Sequence, residues 1–211
     1  MPGNAADFIA DPVGFMRGCV VIVTLNEMNP GKYWLKFDDY VANGTSVIGS
    51  QTGTAIPVYK LVKGTSGDNS FEAFWCPYGQ SEVHACNLDN SADLVFTPQM
   101  DGCTLGLGSA ADGCVRIAHA NGAKFGRSEV GDARKAKARE YQAVMLATTI
   151  SGPTQMVTPD VYQADHGDGA QVLKSTTFGV RQGHDDWQIY CQRYERRGNY
   201  RVFLRDIMQV I

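Results

Sequence analysis

Leu94-Val95-Phe96-Thr97-Pro98-Gln99-Met100-Asp101-Gly102-Cys103-Thr104-Leu105-Gly106-Leu107-Gly108 leads, through Ser-Ala-Ala-Asp-Gly-Cys, into Val115-Arg116-Ile117-Ala118-His119. Short apolar runs broken by Pro, Asp-Gly and paired glycines spell strands, not helices. Residues 104–107 and 115–119 read as adjacent strands of one sheet. Cys103 leaves a turn directly behind Gly102, and His119 ends its strand just before the turn signal Asn121-Gly122. A cysteine and a histidine so placed predict a thiolate–imidazolium pair, in which the imidazole takes the thiol proton and its charge favours the thiolate. Gly102 allows a substrate to approach closely, and the small Gly106 and Gly108 leave room beside it. The Cys103 amide, pointing into such a turn, is a candidate oxyanion donor.

Outward from this stretch the strand pattern continues. Cys19 to Leu25 is a β-branched run with the signature of a central strand, and Tyr33 to Asp38 alternates like a half-buried one. Asn29-Pro-Gly-Lys between them predicts a hairpin. Further strands are expected at 45–48, 55–62, 71–75 and 93–97, with one helical turn near Ala5 to Ile9. The main helix is expected over about 132–148, capped by Asp132, with Ala138, Tyr141, Val144 and Met145 on its apolar face, and ended by Gly152-Pro153. The C-terminal forty residues predict a meander: 176–181, 187–194 and 200–211. The fold class read from this order is α+β, a mixed β-sandwich-like core flanked by helices, in a single catalytic domain over 1–211.

Composition narrows the function. A net charge of −3 argues against a general nucleic-acid binder, which carries a basic field. No run approaches the roughly 20 apolar residues of a membrane span. The N-terminus lacks a basic region followed by an apolar core, so no secretory signal is expected. The six cysteines have no C-x-x-C spacing, which favours reduced thiols; Cys19 and Cys191 sit in strand-like runs and read as core residues.

Thr97, Cys103 and His119 together resemble the motif of the cysteine-dependent glutamine deamidases: the catalytic domains of the cytotoxic necrotizing factors, the Burkholderia lethal factor and the chemoreceptor glutamine deamidases. In the latter two branches a Thr lies six residues before the nucleophile, as Thr97 does before Cys103. The resemblance covers residues 94–121. It departs at Asp101, where those families carry a Ser-Gly-Cys or Gly-Ser-Cys arrangement; a carboxylate there raises a thiol pKa. The resemblance implies that Cys103 is the nucleophile, His119 the general base and acid, and Thr97 the group that orients the imidazole. It implies hydrolysis of a glutamine side chain to glutamate through a thioester, with ammonia released and no cofactor or metal. It further implies a monomeric bacterial toxin or effector, held in the bacterial cytosol before export and acting in the target cell's cytosol on a protein presenting an exposed Gln. A transglutaminase or cysteine peptidase uses the same pair, and a non-catalytic binding module would keep the scaffold with an unreactive Cys103.

Other signals carry less. Gly106-Leu-Gly108 loosely matches a dinucleotide fingerprint but lacks a following helix. Cys76, His84 and Cys86 fit no common zinc spacing. Asp165-His166-Gly-Asp168 has too few oxygen ligands for calcium. Arg134 to Arg139 reads as a solvated basic helix face, Asn43-Gly-Thr45 is an uninformative sequon, and Trp187, Tyr190 and Tyr194 read as core aromatics.

Overall fold

The computed structural model describes residues 4–25, 28–42, 44–124, 131–163, 173–198 and 200–211. Asn4 caps α1 (Ala5–Ala10) by accepting from the Ala6 amide, and Asp11 caps α2 (Pro12–Arg17) by accepting from Gly14. Then come β1 (Val20–Val23), β2 (Gly31–Asp39), β3 (Val41–Ala42), β4 (Thr45–Ser46), β5 (Ile48–Gln51), β6 (Thr54–Ile56), β7 (Val58–Lys63) and β8 (Phe71–Trp75). They are followed by β9 (Val83–Leu88), β10 (Leu94–Phe96), β11 (Thr104–Ser109) and β12 (Val115–Ala120). The long helix α3 (Gly131–Thr149), β13 (Ser151–Val157) and the short α4 (Pro159–Tyr162) precede the expected meander, β14 (Lys174–Gly183), β15 (Asp186–Arg197) and β16 (Arg201–Gln209). None of the described helices is long and apolar enough to cross a membrane.

Ten strands form one mixed sheet in the order β1-β7-β2-β8-β10-β14-β15-β16-β5-β6; β13-β11-β12-β9 form a second sheet, and β3-β4 a small ribbon. The large sheet is nearly closed and barrel-like, so the chain is mostly β, and the expected sandwich is corrected to a curled sheet with a smaller one packed on it. Accumulated strand twist curls a sheet this wide. Closure is helped by side chains: Gln192 Oε1 accepts from the Val21 N–H at 2.8 Å, and Thr176 donates to the Val21 carbonyl at 2.5 Å. These two residues of β15 and β14 thereby satisfy backbone groups of β1, which stands last in the ladder. The β-branched run is therefore a buried terminal strand instead of a central one. The expected hairpin does not form either, because β7 lies between β1 and β2, parallel to the first and antiparallel to the second.

Alternation along the strands sorts the apolar side chains to two faces. On one face Phe37, Phe71, Phe96 and Phe178 meet Phe8 and Met16 of α1 and α2. On the other, Phe74, Val95, Ile189 and Cys191 meet Cys86, Leu105, Leu107 and Ile117 of the small sheet. The candidate site lies on this second seam.

The main helix occupies the expected place with a different inner face. Its buried residues are Gln142 and Leu146, whereas Tyr141 and Val144 are exposed. Met145 packs beside Ala118 and Ala120 at the edge of that contact. Asp132 is in the first turn, not at the cap. Close packing on the small sheet selects this face: a Cβ on Gly106 would stand 2.9 Å from both Ile150 and Leu146, and one on Gly122 would stand 2.6 Å from the Ala138 carbonyl. Gly106 is thus small for the helix and does not clear space for substrate. Asn43 and the stretch Asp165 to Asp168 lie outside the described residues.

Candidate functional site

The turn that carries Cys103 is pinned from both sides. Upstream, the Thr97 amide donates to the Thr177 carbonyl, and Met100 exchanges two backbone hydrogen bonds with Ser175, tying the loop to β14. Gly102 holds φ at +146°, where a side chain is strained, and a Cβ there would meet nothing within 4 Å. Tyr162, reaching over from α4, accepts from the Gly102 N–H at 2.8 Å and donates to the Cys103 carbonyl at 3.0 Å. Gln142 donates to the Gly102 carbonyl at 2.8 Å while accepting from Thr104 Oγ1 at 2.7 Å. Three separate elements therefore fix the turn's polar backbone groups.

Strand register brings the site residues together. Leu105 pairs with His119 and Thr104 with Ala120, so the register carried one step further sets Cys103 opposite Asn121. Residues 103, 105, 119 and 121 share one face, because side chains alternate along strands. Cys103 and His119 are diagonal neighbours, a relation that separates Cβ atoms by roughly 7 Å. Among the described hydrogen bonds none joins the two side chains directly. The thiol instead receives Asn121 Nδ2–H at 3.3 Å.

The link from Thr97 to His119 is present: Thr97 Oγ1 lies 2.5 Å from His119 Nδ1, both residues being buried. His119 Nε2 is buried with no hydrogen-bond partner among the described residues. If Nδ1 carries the proton and donates to Thr97, the Nε2 lone pair is free to accept one. The Tyr78 ring packs on the imidazole, with centroids 5.7 Å apart. His84, directly across from His119 on β9, pairs with Glu82 at 3.0 Å.

Burial overturns the expected resting charge state. It pushes the Cys103 thiol up to about 12, with the nearby Asp101 carboxylate acting in the same direction and the Asn121 and Asp101 N–H groups opposing it. Burial, with a smaller contribution from His84, lowers His119 to about 3. At neutral pH the site therefore rests as thiol and neutral imidazole, because desolvation penalises both charged forms. His119, although near a strand end, is fully enclosed. Asp101 raises the thiol as expected, and Lys174 stands 3.7 Å from its carboxylate.

Cys103 borders two depressions. A cleft of about 370 Å³ lies between the turn, Asn121, α3 and α4, and includes Arg134, Ala138 and Gln142 in its lining. A groove of about 280 Å³ on the other side is lined by Thr24, Tyr78, Gln99 and Asp101. The basic stretch of α3 thus faces the cleft in part, with Arg139 paired to Asp160 at 2.7 Å. The Cys76 thiol donates to the His84 and Ile117 carbonyls.

Sequence reasoning missed Asn121, Gln142 and Tyr162. Asn121 had a signal, since it stands two residues beyond His119 and so on the same strand face. Gln142 and Tyr162 had none, because their partners are backbone groups of a turn distant in sequence. A scan against protein-family models finds no match, and no curated protein matches the chain significantly.

Proposed function

We propose that this protein is a cysteine-dependent hydrolase of side-chain carboxamides, a protein-glutamine deamidase. The observation that carries the reading is the buried Thr97–His119 hydrogen bond, which leaves the unpartnered Nε2 on the sheet face that also bears Cys103. The arrangement is a nucleophile, a base and a third group orienting the base. A cleft bordered by Cys103 supplies the approach for a carboxamide.

Under this reading Cys103 stays protonated until substrate arrives. Its proton then passes to His119 Nε2 as sulfur bonds to the carboxamide carbon and the carbonyl π pair moves onto oxygen. Collapse of this intermediate breaks the C–N bond, and the nitrogen takes the proton from His119 and leaves as ammonia. Water, deprotonated by His119, adds to the thioester; the C–S bond breaks and the thiol is restored with glutamate as product. Thr97 holds the imidazole in the tautomer and orientation both halves require. The likeness of residues 94–121 to deamidase toxins supports a protein of a target cell as the substrate class.

The test is peptide mass spectrometry on target-cell extracts incubated with wild type, Cys103→Ala and His119→Ala, with ammonia measured in parallel. Conversion of specific Gln residues to Glu, with ammonia released and both variants inactive, is expected. New chain termini would replace the reading by proteolysis, and incorporation of an added amine by transglutamination. Conversion that survives in Cys103→Ala would remove the nucleophile assignment.

A further inference from the structure

The proposed reaction needs a donor for the negative oxygen that forms when sulfur adds to the carboxamide. The Gly102 N–H is already bonded to Tyr162 Oη. Among the described hydrogen bonds the Cys103 N–H has no partner, and that amide was the donor expected from sequence.

Asn121 is the better-built donor. Its Oδ1 accepts from two backbone amides, Ala123 at 2.8 Å and Ser81 at 3.3 Å. An amide flip would set an NH₂ group against those two N–H donors, so the network assigns the orientation. Nδ2 is thereby held 3.3 Å from Cys103 Sγ. One of its hydrogens faces the sulfur, and the second has no partner among the described hydrogen bonds. Asn121 itself is largely buried yet borders the same cleft as Cys103. The oxygen of a tetrahedral adduct is attached to the carbon bonded to sulfur, so a donor beside the sulfur is within reach of it. A fixed amide dipole in a water-poor site stabilises developing charge with little reorganisation.

We infer that Asn121 is the oxyanion-hole donor of this site, its Nδ2–H group binding the carbonyl oxygen as Cys103 attacks. The inference rests on the Cys103–His119 reading and adds a catalytic residue to it. The Ser81 and Ala123 amides act through Asn121 as positioning groups.

Two chemistries at one sulfur separate this role from a structural one. Alkylation of Cys103 by iodoacetamide is a displacement at carbon with no oxyanion. Acylation by p-nitrophenyl acetate passes through one. Both rates are read at Cys103 by peptide mass spectrometry in wild type, Asn121→Ala, Asn121→Asp and His119→Ala. Asn121→Asp keeps an oxygen acceptor for the Ser81 and Ala123 amides but has no N–H to give; the carboxylate it adds beside the sulfur disfavours the thiolate in both reactions, so their ratio isolates the lost donor. Acylation is expected to fall about 100-fold or more in both Asn121 variants. The ratio of acylation to alkylation is expected to fall with it, while His119→Ala slows both reactions. An Asn121→Asp protein that acylates as fast as wild type overturns the inference and leaves the Cys–His reading standing. A wild type whose Cys103 forms no acyl-enzyme overturns both.

Discussion

The two faces of the ten-stranded sheet hold together by different means. On one, Phe8 packs on Phe37 and Phe71 with ring centroids 5.0 and 4.8 Å apart, and Phe96 stacks on Phe178 at 6.0 Å. That core is almost wholly hydrocarbon and gains its stability from area removed from water and from ring geometry. On the other face, the seam with the small sheet encloses Thr97 and His119 among its apolar groups, and Thr104 and Gln142 are buried on the small sheet's far side, under α3. Each needs a partner, and the turn at Gly102-Cys103 is held by side chains from α3 and α4 instead of by packing alone. The difference teaches where strain and chemistry can reside. Each face retains one buried nitrogen with no hydrogen-bond partner among the described residues, Trp75 Nε1 in the aromatic core and His119 Nε2 in the seam, but only the imidazole nitrogen can take up a proton.

The comparison breaks most visibly at Phe37. Phe37→Ala should cost about 3–5 kcal/mol by leaving a cavity among the surrounding rings. Chemical denaturation measures it, and a loss below about 1 kcal/mol would mean that α1 and α2 collapse into the gap. Tyr162→Phe tests the seam at nearly constant volume. It strips the Gly102 amide and the Cys103 carbonyl of their shared partner and should cost about 1–3 kcal/mol. It should also slow Cys103 acylation, which Phe37→Ala should not do while folded. Unchanged stability in Tyr162→Phe would show that water replaces the phenol.

Acid sharpens the contrast. Burial holds His119 near 3 against an ordinary value of 6.5, so between those values the unfolded chain binds the proton more readily than the folded one. This contribution to stability is complete above about 6.5 and is lost as pH falls toward 3. His119→Asn should therefore show a shallower loss of stability over that window, read from denaturation midpoints at successive pH values. Parallel curves for variant and wild type would place the acid sensitivity elsewhere. The smallest effect is expected on the outer face of α3. Val144→Ser should change stability by no more than about 0.5 kcal/mol, whereas Leu146→Ala, beneath it against the small sheet, should cost about 2–5 kcal/mol. Equal costs at the two positions would contradict the helix orientation.

Much of the local structure was legible in the chain. Phe71 to Trp75 and the three C-terminal strands were readable because turn residues bracket runs of β-forming side chains. β9 and β13 were not: Val83-His84-Ala85-Cys86-Asn87-Leu88 and Ser151-Gly152-Pro153 mix polar or strand-breaking residues into strands that neighbours stabilise. The inner face of α3 was misread because Tyr141 and Val144 are the more apolar candidates. Gln142 is buried instead, its amide being satisfied at both ends by the Gly102 turn and Thr104.

By itself, then, the sequence determined most of the segments that extend and most of their turns, and it placed Thr97, Cys103 and His119 at successive strand ends. These are local consequences of side-chain shape, alternation and glycine. Tertiary structure alone decided that the large sheet curls and is covered on both faces, that Cys103 and His119 share a face, and that both rest uncharged. Those outcomes depend on strand register, desolvation and partners such as Asn121, Gln142 and Tyr162, whose effect appears only once residues distant along the chain are packed together.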